Sequence, residues 1–219
     1  MTASPRNDVQ TEVAAAAARL IAEDGLDYAA AKRKAAADLL GDAGLRRALP
    51  DNGQVEHELR RYLQTFDAEA HPRRLAALRT LALELMQRLA AFNPHLVGAV
   101  LNGTATAHSN IHLHLFTDSA KDVEVFLMDQ GIDFDVEAGG ERPGTAGAAS
   151  EELHFVLPAP AGSQPGRVGV VLSVHDTDAI RIAPRSRSSG PDLHPIESAG
   201  RAGPGAVREL LRSSGGQPT

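Results

Sequence analysis

The chain has 219 residues, 42% of them hydrophobic but only 4% aromatic, so it can build one large or two small domains around a mainly aliphatic core. Its formal net charge of −6 argues against broad, non-specific nucleic-acid binding, and the absence of cysteine excludes disulfides, thiolate zinc sites and cysteine nucleophiles. Because no apolar run reaches the ~20 residues of a membrane span and the first residues carry no signal-peptide segment, we expect a cytoplasmic protein without membrane contact.

Helical periodicity dominates the first part of the chain. Residues 1–8 are polar and are expected to be disordered, and a helical region with four helices is predicted over 9–92. The predicted helices span about Val9–Asp24, Asp27–Leu40, Gln54–Phe66 and Pro72–Ala91. Gly25 and Gly41 are typical of helix ends, and Asp51 or Asn52 can cap the third helix.

The first two predicted helices also carry a DNA-binding signal. The segment AAAARLIAEDGLDYAAAKRKAA resembles the opening of TetR-type helix-turn-helix repressors and contains the basic triplet Lys32-Arg33-Lys34. In such domains a third helix reads the DNA groove, whereas Leu45–Pro50 is too short for that role. We expect the two helices to pack on the main domain. The alternative is a regulatory or scaffold protein that binds DNA or a protein partner through them.

After Asn93-Pro94 the hydrophobic period changes from 3.6 to 2, which predicts a small mixed sheet over 93–183. The predicted strands are Leu96–Leu101, Asn110–Leu115, Ile132–Glu137, Glu152–Leu157 and Arg167–Val174. A helix is predicted over 119–130. Few apolar residues occur in 184–219, which predicts a disordered tail with a short helix at Ala206–Leu211. The predicted class is therefore α+β, with a helical region before the sheet.

The candidate site lies in VGAVLNGTATAHSNIHLHLF, residues 97–116. Glycine turns at Gly98 and Gly103 precede an alternating strand, and the alternation places Asn110, His112 and His114 on one face. Polar side chains behind a glycine-rich turn are typical of a binding site at a sheet edge. The alternative is a half-buried strand with a solvated outer face.

This block resembles the nucleotidyltransferase superfamily, which has the DNA polymerase β-like fold. The family signature is a strand that ends in Gly-Ser, a further glycine, and Asp-x-Asp on the next strand. Gly98-Ala99 stands at the Gly-Ser turn, Gly103-Thr104 at the second glycine, and Ser109-Asn110-Ile111-His112 at the Asp-x-Asp segment. The resemblance implies that a third carboxylate follows on the next strand. It thus implies nucleotide contacts at Gly98, Ala99, Gly103, Thr104 and Ser109, and catalytic positions at Asn110, His112, Asp133 and Asp135.

Asn110 and His112 stand where the family has its paired carboxylates, and this replacement affects which metal ion the site could bind. In active members of the family, paired carboxylates hold divalent metal ions that bridge the nucleotide phosphates. Mg²⁺ prefers hard oxygen ligands, whereas Asn110 supplies one neutral oxygen and His112 a nitrogen. One interpretation is a pseudoenzyme that binds nucleotide but has weak or lost transfer. The other is a softer ion, Zn²⁺ or Mn²⁺, held by His112, His114 and Asp135 or Asp133.

The LNGTA and SNIHLHLF segments are also similar to those of short proteins that carry the name UDP-N-acetylmuramate–alanine ligase. True muramyl ligases are much longer and contain a Gly-Lys-Thr loop for ATP, which this chain lacks. The sequence therefore does not support that activity.

Overall fold

The computed structural model describes residues 5–41, 49–140, 149–161, 166–184 and 193–214. Within these residues the protein is α+β: three N-terminal helices precede a five-stranded mixed sheet and the helices that pack on it. The helices are α1 (Pro5–Asp24), α2 (Tyr28–Leu40), α3 (Asn52–Phe66), α4 (Ala70–Arg88), α5 (Gly98–Asn102), α6 (Ala120–Asp129), α7 (Pro195–Ser198) and α8 (Pro204–Ser214). The strands are β1 (His95–Val97), β2 (Ile111–Phe116), β3 (Asp135–Ala138), β4 (Glu151–Pro158) and β5 (Arg167–His175). None of the helices described is both long and apolar enough to cross a bilayer.

Helices α1, α2 and α3 form an N-terminal unit with its own core. Small and branched side chains from all three helices are buried against one another, among them Val13, Ala17, Ala31, Ala35, Val55 and Leu59. Many of these side chains are alanines, so the helix backbones can approach closely. The predicted helices are confirmed, but α1 begins at Pro5 rather than Val9, so residues 5–8 are helical. Residues 1–4 and most of the predicted segment Leu45–Pro50 lie outside the described residues.

Local capping explains where α2 and α3 begin. The Asp27 carboxylate accepts hydrogen bonds from the backbone N–H groups of Ala29 and Ala30 at 2.8 and 2.9 Å. Asp51 and Gln54 form a reciprocal capping box at the start of α3. Each cap satisfies N–H groups that have no partner inside the helix, which favours a helix start at that residue.

The sheet has the strand order β1-β2-β5-β4-β3. Strands β2 and β5 are parallel, and the other neighbouring strands are antiparallel. One face of the sheet is apolar and packs against α4, α6 and α8 to form the main core. This core includes Leu96, Leu113, Leu153 and Leu172 of the sheet and Leu78, Met86, Val123 and Val207 of the helices. The opposite face carries most of the polar side chains. The predicted β4–β5 hairpin is confirmed, although residues 162–165 of its connection lie outside the described residues, as do residues 141–148 of the predicted loop 138–150.

The predicted strand Leu96–Leu101 ends early because Gly98 bends the chain. Gly98 has a φ of +72°, in the left-handed region that glycine adopts without a side-chain clash. Strand β1 therefore ends at Val97, and α5 begins at the glycine. The bend approaches the next strand closely, since a Cβ at Gly98 would lie 3.9 Å from the Cβ of His112.

The prediction of a disordered tail over 184–219 is wrong for most of the described part of this segment. Residues 193–214 are folded and form what we call the C-terminal strap, which contains α7 and α8. Ala202 and Leu96 exchange two backbone hydrogen bonds of 2.8 and 2.9 Å, so the strap pairs with β1. The predicted short helix lies within α8, where Val207 and Leu210 are buried. The low apolar content of the segment was misleading because long-range pairing and a few well-placed apolar side chains hold it. Residues 185–192 and 215–219 lie outside the described residues.

A buried arginine of α4 joins α5 to the strap. Arg79 is only 2% exposed, and its guanidinium donates to the backbone oxygens of Val100 and Leu101 at 2.9 and 2.8 Å. It also pairs with the Glu197 carboxylate of α7 at 2.7 Å. Burial lowers the pKa of Arg79 and the Glu197 carboxylate raises it, and a guanidinium remains protonated in either case.

We expect Arg79→Met to lower the free energy of unfolding by about 3–5 kcal/mol, because Glu197 loses its partner in a mostly buried position. Chemical denaturation followed by far-ultraviolet circular dichroism measures the change. The control is Arg61→Met, which removes a pair of 3.2 Å between Arg61 and Glu58 in which the arginine is mostly exposed. That variant should change the free energy by less than about 1 kcal/mol. Equal losses in the two variants would contradict the anchoring role of Arg79.

Candidate functional site

A cavity of about 490 Å³ lies between the N-terminal unit and the polar face of the sheet. The α1–α2 turn and α3 form one wall, and the Gly98 bend with β2 and β5 forms the other. The strap closes one side through Glu197, Gly200 and Arg201. Small-molecule sites typically have volumes of about 300–1,000 Å³ and often lie between structural units. The size and position of this cavity are therefore those of a small-molecule site.

Six of the residues predicted for the site line this cavity: Gly98, Ala99, Ser109, Asn110, His112 and His114. The local chain path explains why they meet. Strand β2 runs antiparallel to β1, and Val97 lies directly opposite His112. The bend that follows Val97 therefore sits beside the ligand-capable face of β2.

Gly103 and Thr104, which were predicted to contact nucleotide, have a structural role behind α5. Gly103 ends α5 with a φ of +82°. Thr104 is fully buried; its backbone N–H donates to the Ala99 oxygen at 3.0 Å, and its hydroxyl donates to Asn102 Oδ1 at 2.7 Å. Neither residue is among the described residues that line the cavity.

The predicted acidic strand does not reach the site. Strand β3 lies at the far edge of the sheet, with β4 and β5 between it and β2. One row of side chains crosses the sheet on the polar face: His112, Val171, His154 and Asp135. Asp135 thus faces the same side as His112 but lies three strand spacings away, about 14 Å. Asp133 is exposed in the loop before β3. The metal ligation expected for His112 with Asp135 or Asp133 is not formed in this fold.

On the side of β2 away from β1, the neighbouring strand is β5, which places Val171 opposite His112 and Ser173 opposite His114. Neither residue is a carboxylate, so β2 and β5 offer the amide of Asn110, the imidazoles of His112 and His114 and the hydroxyl of Ser173 at the predicted metal position. Within the described ranges, no three His, Asp or Glu side chains are arranged to hold a metal ion. The donor set fits Mg²⁺ poorly, because Mg²⁺ requires hard oxygen ligands in octahedral geometry.

Imidazole and phenyl rings cluster at the strap end of this face. The ring centroids of His114 and His175 are 4.5 Å apart, and Phe116 stacks on His175 at 5.6 Å. The Arg201 guanidinium lies 4.9 Å from the centre of the Phe116 ring. Burial is the largest of several causes that together lower the pKa of His114 to about 3; the others are the neighbouring groups His175, Arg201, His112 and His95. His114 is therefore neutral near pH 7, with one donor and one acceptor nitrogen.

The N-terminal unit closes the cavity through polar contacts. His108 Nε2 lies 3.1 Å from the backbone oxygen of Glu23, and the Arg60 guanidinium donates to the Asn102 oxygen at 3.0 Å. The turn after α1 approaches His108 so closely that only glycine fits. Gly25 has a φ of +69°, and a Cβ there would lie 2.7 Å from His108 Cγ.

The basic triplet of α2 makes contacts within its own unit. Lys32 Nζ donates to Asn52 Oδ1 at 2.8 Å, and Lys34 Nζ lies 3.6 Å from an Asp24 carboxylate oxygen. These contacts engage two of the three basic side chains that suggested DNA binding.

Sequence reasoning missed several residues that line the cavity: Tyr28, Glu56, Ser173 and Arg201. Ser173 offered a signal, because it is a polar residue in an otherwise apolar strand. The others come from α2, α3 and the strap, and only tertiary packing brings them to the site. Burial raises the pKa of Tyr28, so its phenol is neutral here.

No protein-family model, curated protein or solved structure matches this chain. The nucleotidyltransferase resemblance therefore depends on the residues of the Gly98–His112 block alone. What the geometry defines is a cavity of small-molecule size between a helical unit and the polar face of a mixed sheet.

We expect Gly25→Ala to destabilise the protein more than Gly131→Ala. Both glycines have positive φ values, +69° and +66°, so both substitutions carry the left-handed penalty of about 1–2 kcal/mol. A Cβ at Gly131 meets open space, whereas one at Gly25 meets His108. The excess cost at Gly25 should be about 1–3 kcal/mol, measured by chemical denaturation. Adding His108→Gly, which also removes the His108 Cβ that would lie 2.8 Å from the new Cβ, should remove that excess when the double variant is compared with His108→Gly alone. Equal losses at the two glycines would contradict the close approach.

We expect the free energy of unfolding to fall as the pH drops below about 6.5. The unfolded chain then protonates its histidines, whereas folded His114 stays neutral down to about pH 3. Protonation therefore favours the unfolded state. His114→Gln should reduce the slope below pH 6.5 by on the order of 1 kcal/mol per pH unit, while the two curves stay parallel between about pH 7 and 8. Denaturation at a series of pH values measures both, and an unchanged slope in the variant would contradict the buried neutral state.

Proposed function

We propose that this chain is a nucleotidyltransferase-like protein that binds a nucleotide in the cavity between the N-terminal unit and the sheet, with weak or lost Mg²⁺-dependent transfer. One observation carries the proposal. The Gly98 bend, Asn110 and His112, which carry the resemblance to the family, lie on one wall of a cavity large enough for such a ligand.

The composition of the cavity supports binding of an organic molecule with both apolar and polar parts. Ile21, Leu26 and Val97 give it apolar surface, and Asn110 and Ser173 give it hydrogen-bonding groups. This mixture is typical of small-molecule sites, in which apolar surface supplies affinity and a few polar groups fix orientation. A nucleotide combines a planar base with a polar sugar, so its chemistry matches these walls.

The donor set supports the loss of efficient metal-dependent transfer. Two-metal chemistry needs carboxylates that hold the ions against the phosphates. Asn110 and His112 replace the paired carboxylates on β2, and Val171 and Ser173 occupy the neighbouring positions on β5. The paired carboxylates that would hold Mg²⁺ on β2 are therefore missing beside the bend.

Thermal unfolding with nucleoside triphosphates tests the proposal. A ligand that binds only the folded state at about 100 times its Kd adds about 2.7 kcal/mol, which raises the Tm of a protein of this size by roughly 5–10 °C. We expect this rise with at least one of ATP, GTP, CTP and UTP, and we expect it to be the same with EDTA as with Mg²⁺. A rise that requires Mg²⁺ would contradict the proposed loss of metal dependence.

A filled cavity provides the matched control for the same experiment. Ala99→Phe places a large side chain at a residue that lines the cavity and should abolish the rise in Tm. Ala91→Phe makes the same change at an exposed residue outside the cavity and should leave the rise unchanged. If the rise persists in Ala99→Phe, the nucleotide binds elsewhere and the proposed site is wrong.

A further inference from the structure

We infer that the cavity recognises the nucleoside part of its ligand, and that Ser173 accepts a hydrogen bond from a ribose hydroxyl. This inference rests on the proposed function and deepens it, because it says which part of a nucleotide supplies the affinity. It also assigns a specificity role to two residues outside the Gly98–His112 block, Ser173 and Glu152.

The Glu152 carboxylate determines whether the Ser173 hydroxyl can donate or accept a hydrogen bond in the cavity. The hydroxyl of Ser173 donates its single proton to Glu152 Oε1 at 3.1 Å, and both residues are only 6% exposed. A carboxylate oxygen accepts this bond, so the serine proton is committed to Glu152. The lone pairs of the serine oxygen are then the part of the hydroxyl left for the cavity. A ligand group that meets Ser173 must therefore be a donor.

Glu152 lies between Ser173 and a histidine of its own strand. Its second carboxylate oxygen, Oε2, lies 3.8 Å from His154 Nε2 on the same strand. The sheet register puts Glu152 directly opposite Ser173, so the hydrogen bond runs straight across two neighbouring strands. Because the pairing of β4 with β5 places the two side chains next to each other, the hydrogen bond from Ser173 to Glu152 forms without a ligand.

The charges of the cavity disfavour a phosphate as the main recognition element. Three carboxylates line it, from Asp27, Glu56 and Glu197, against the guanidinium of Arg201. Glu197 is already paired with Arg79. Arg201 already donates to the Ile180 backbone oxygen at 2.6 Å. A phosphate is negatively charged and offers only acceptors, so it suits neither the carboxylates of this cavity nor a serine that itself accepts.

A ribose meets these requirements where a phosphate does not. Its vicinal hydroxyls are donors, and they are uncharged, so they suit an acceptor such as Ser173 beside the neutral ring of His114. A buried acceptor that loses its donor is left unpaired, and sites of this kind discriminate strongly against analogues that lack the hydroxyl. The cavity should therefore distinguish ribonucleosides from their deoxy analogues.

Isothermal titration calorimetry on the full chain tests this directly. The probes are the four common ribonucleosides, their 5′-monophosphates and their 2′- and 3′-deoxy analogues. We expect the best ribonucleoside to bind within about threefold of its monophosphate, and removal of one of its two hydroxyls to weaken binding about tenfold. This comparison uses the unmodified protein, so it stands whether or not any variant folds.

Two glutamate substitutions then test the role of Ser173. In Glu152→Gln, the amide nitrogen can donate to the serine oxygen, which frees the serine proton to face the cavity. The tenfold preference for the hydroxyl should then fall below about threefold. Glu137→Gln makes the same chemical change on β3, on the same sheet face but exposed and outside the cavity, and it should keep the tenfold preference. An unchanged preference in Glu152→Gln overturns the role given to Ser173.

The remaining outcomes separate this inference from the proposed function. If no nucleoside and no nucleotide binds, the proposed function is wrong and the inference falls with it. If a monophosphate binds more than about tenfold tighter than its nucleoside, or if neither hydroxyl affects affinity, nucleotide binding stands and the inference alone is overturned.

Discussion

The buried contact between Arg79 and the ends of α5 and α7 is the constraint on which the candidate site depends. Helix α5 has only five residues, far too few to be stable from its own hydrogen bonds. Two of its final carbonyls, at Val100 and Leu101, are held by the Arg79 guanidinium. Fixing the end of α5 also fixes its beginning, which is the Gly98 bend beside His112. The same guanidinium holds Glu197, so one side chain of α4 positions both a wall of the cavity and the strap that closes it.

The cavity exists because the protein has two hydrophobic cores that do not merge. Residues of α1, α2 and α3 pack among themselves, and the sheet packs with α4, α6 and α8. Between the two cores, the described contacts at the cavity are hydrogen bonds, such as those of His108 with Glu23 and of Arg60 with Asn102. Polar interfaces of this kind between units of one chain permit relative motion more readily than apolar ones. A ligand that touches both units would stabilise their closed arrangement, since it binds that arrangement alone.

Much of the fold follows from local sequence signals. The caps at Asp27 and Asp51, the apolar stripe of α4 and the short connection between β4 and β5 each act within a few residues, so each could be predicted. The half of the site that lies within the Gly98–His112 block was predictable for the same reason, because a bend and the strand that follows it are close in sequence. Strand order is a different kind of property. The β4–β5 hairpin inserts between β2 and β3, and nothing in the alternation of β3 indicates that its carboxylates end at the far edge. The strap was missed because its pairing with β1 joins residues about a hundred positions apart.

The strand order also determines what chemistry the site can perform. The position beside β2 belongs to β5, which supplies Val171 and Ser173 where a metal-dependent enzyme of this resemblance would need a carboxylate. A carboxylate is present one strand further on, at Glu152, which is not among the described residues that line the cavity but accepts a hydrogen bond from Ser173, which is. Its effect on a ligand is therefore to orient a hydrogen-bond acceptor, and its charge stays buried behind the wall. A sheet with this register can present a hydrogen-bonding pattern to a bound molecule, while the β3 carboxylate of Asp135 lies three strands away from β2, too far to hold Mg²⁺ together with His112.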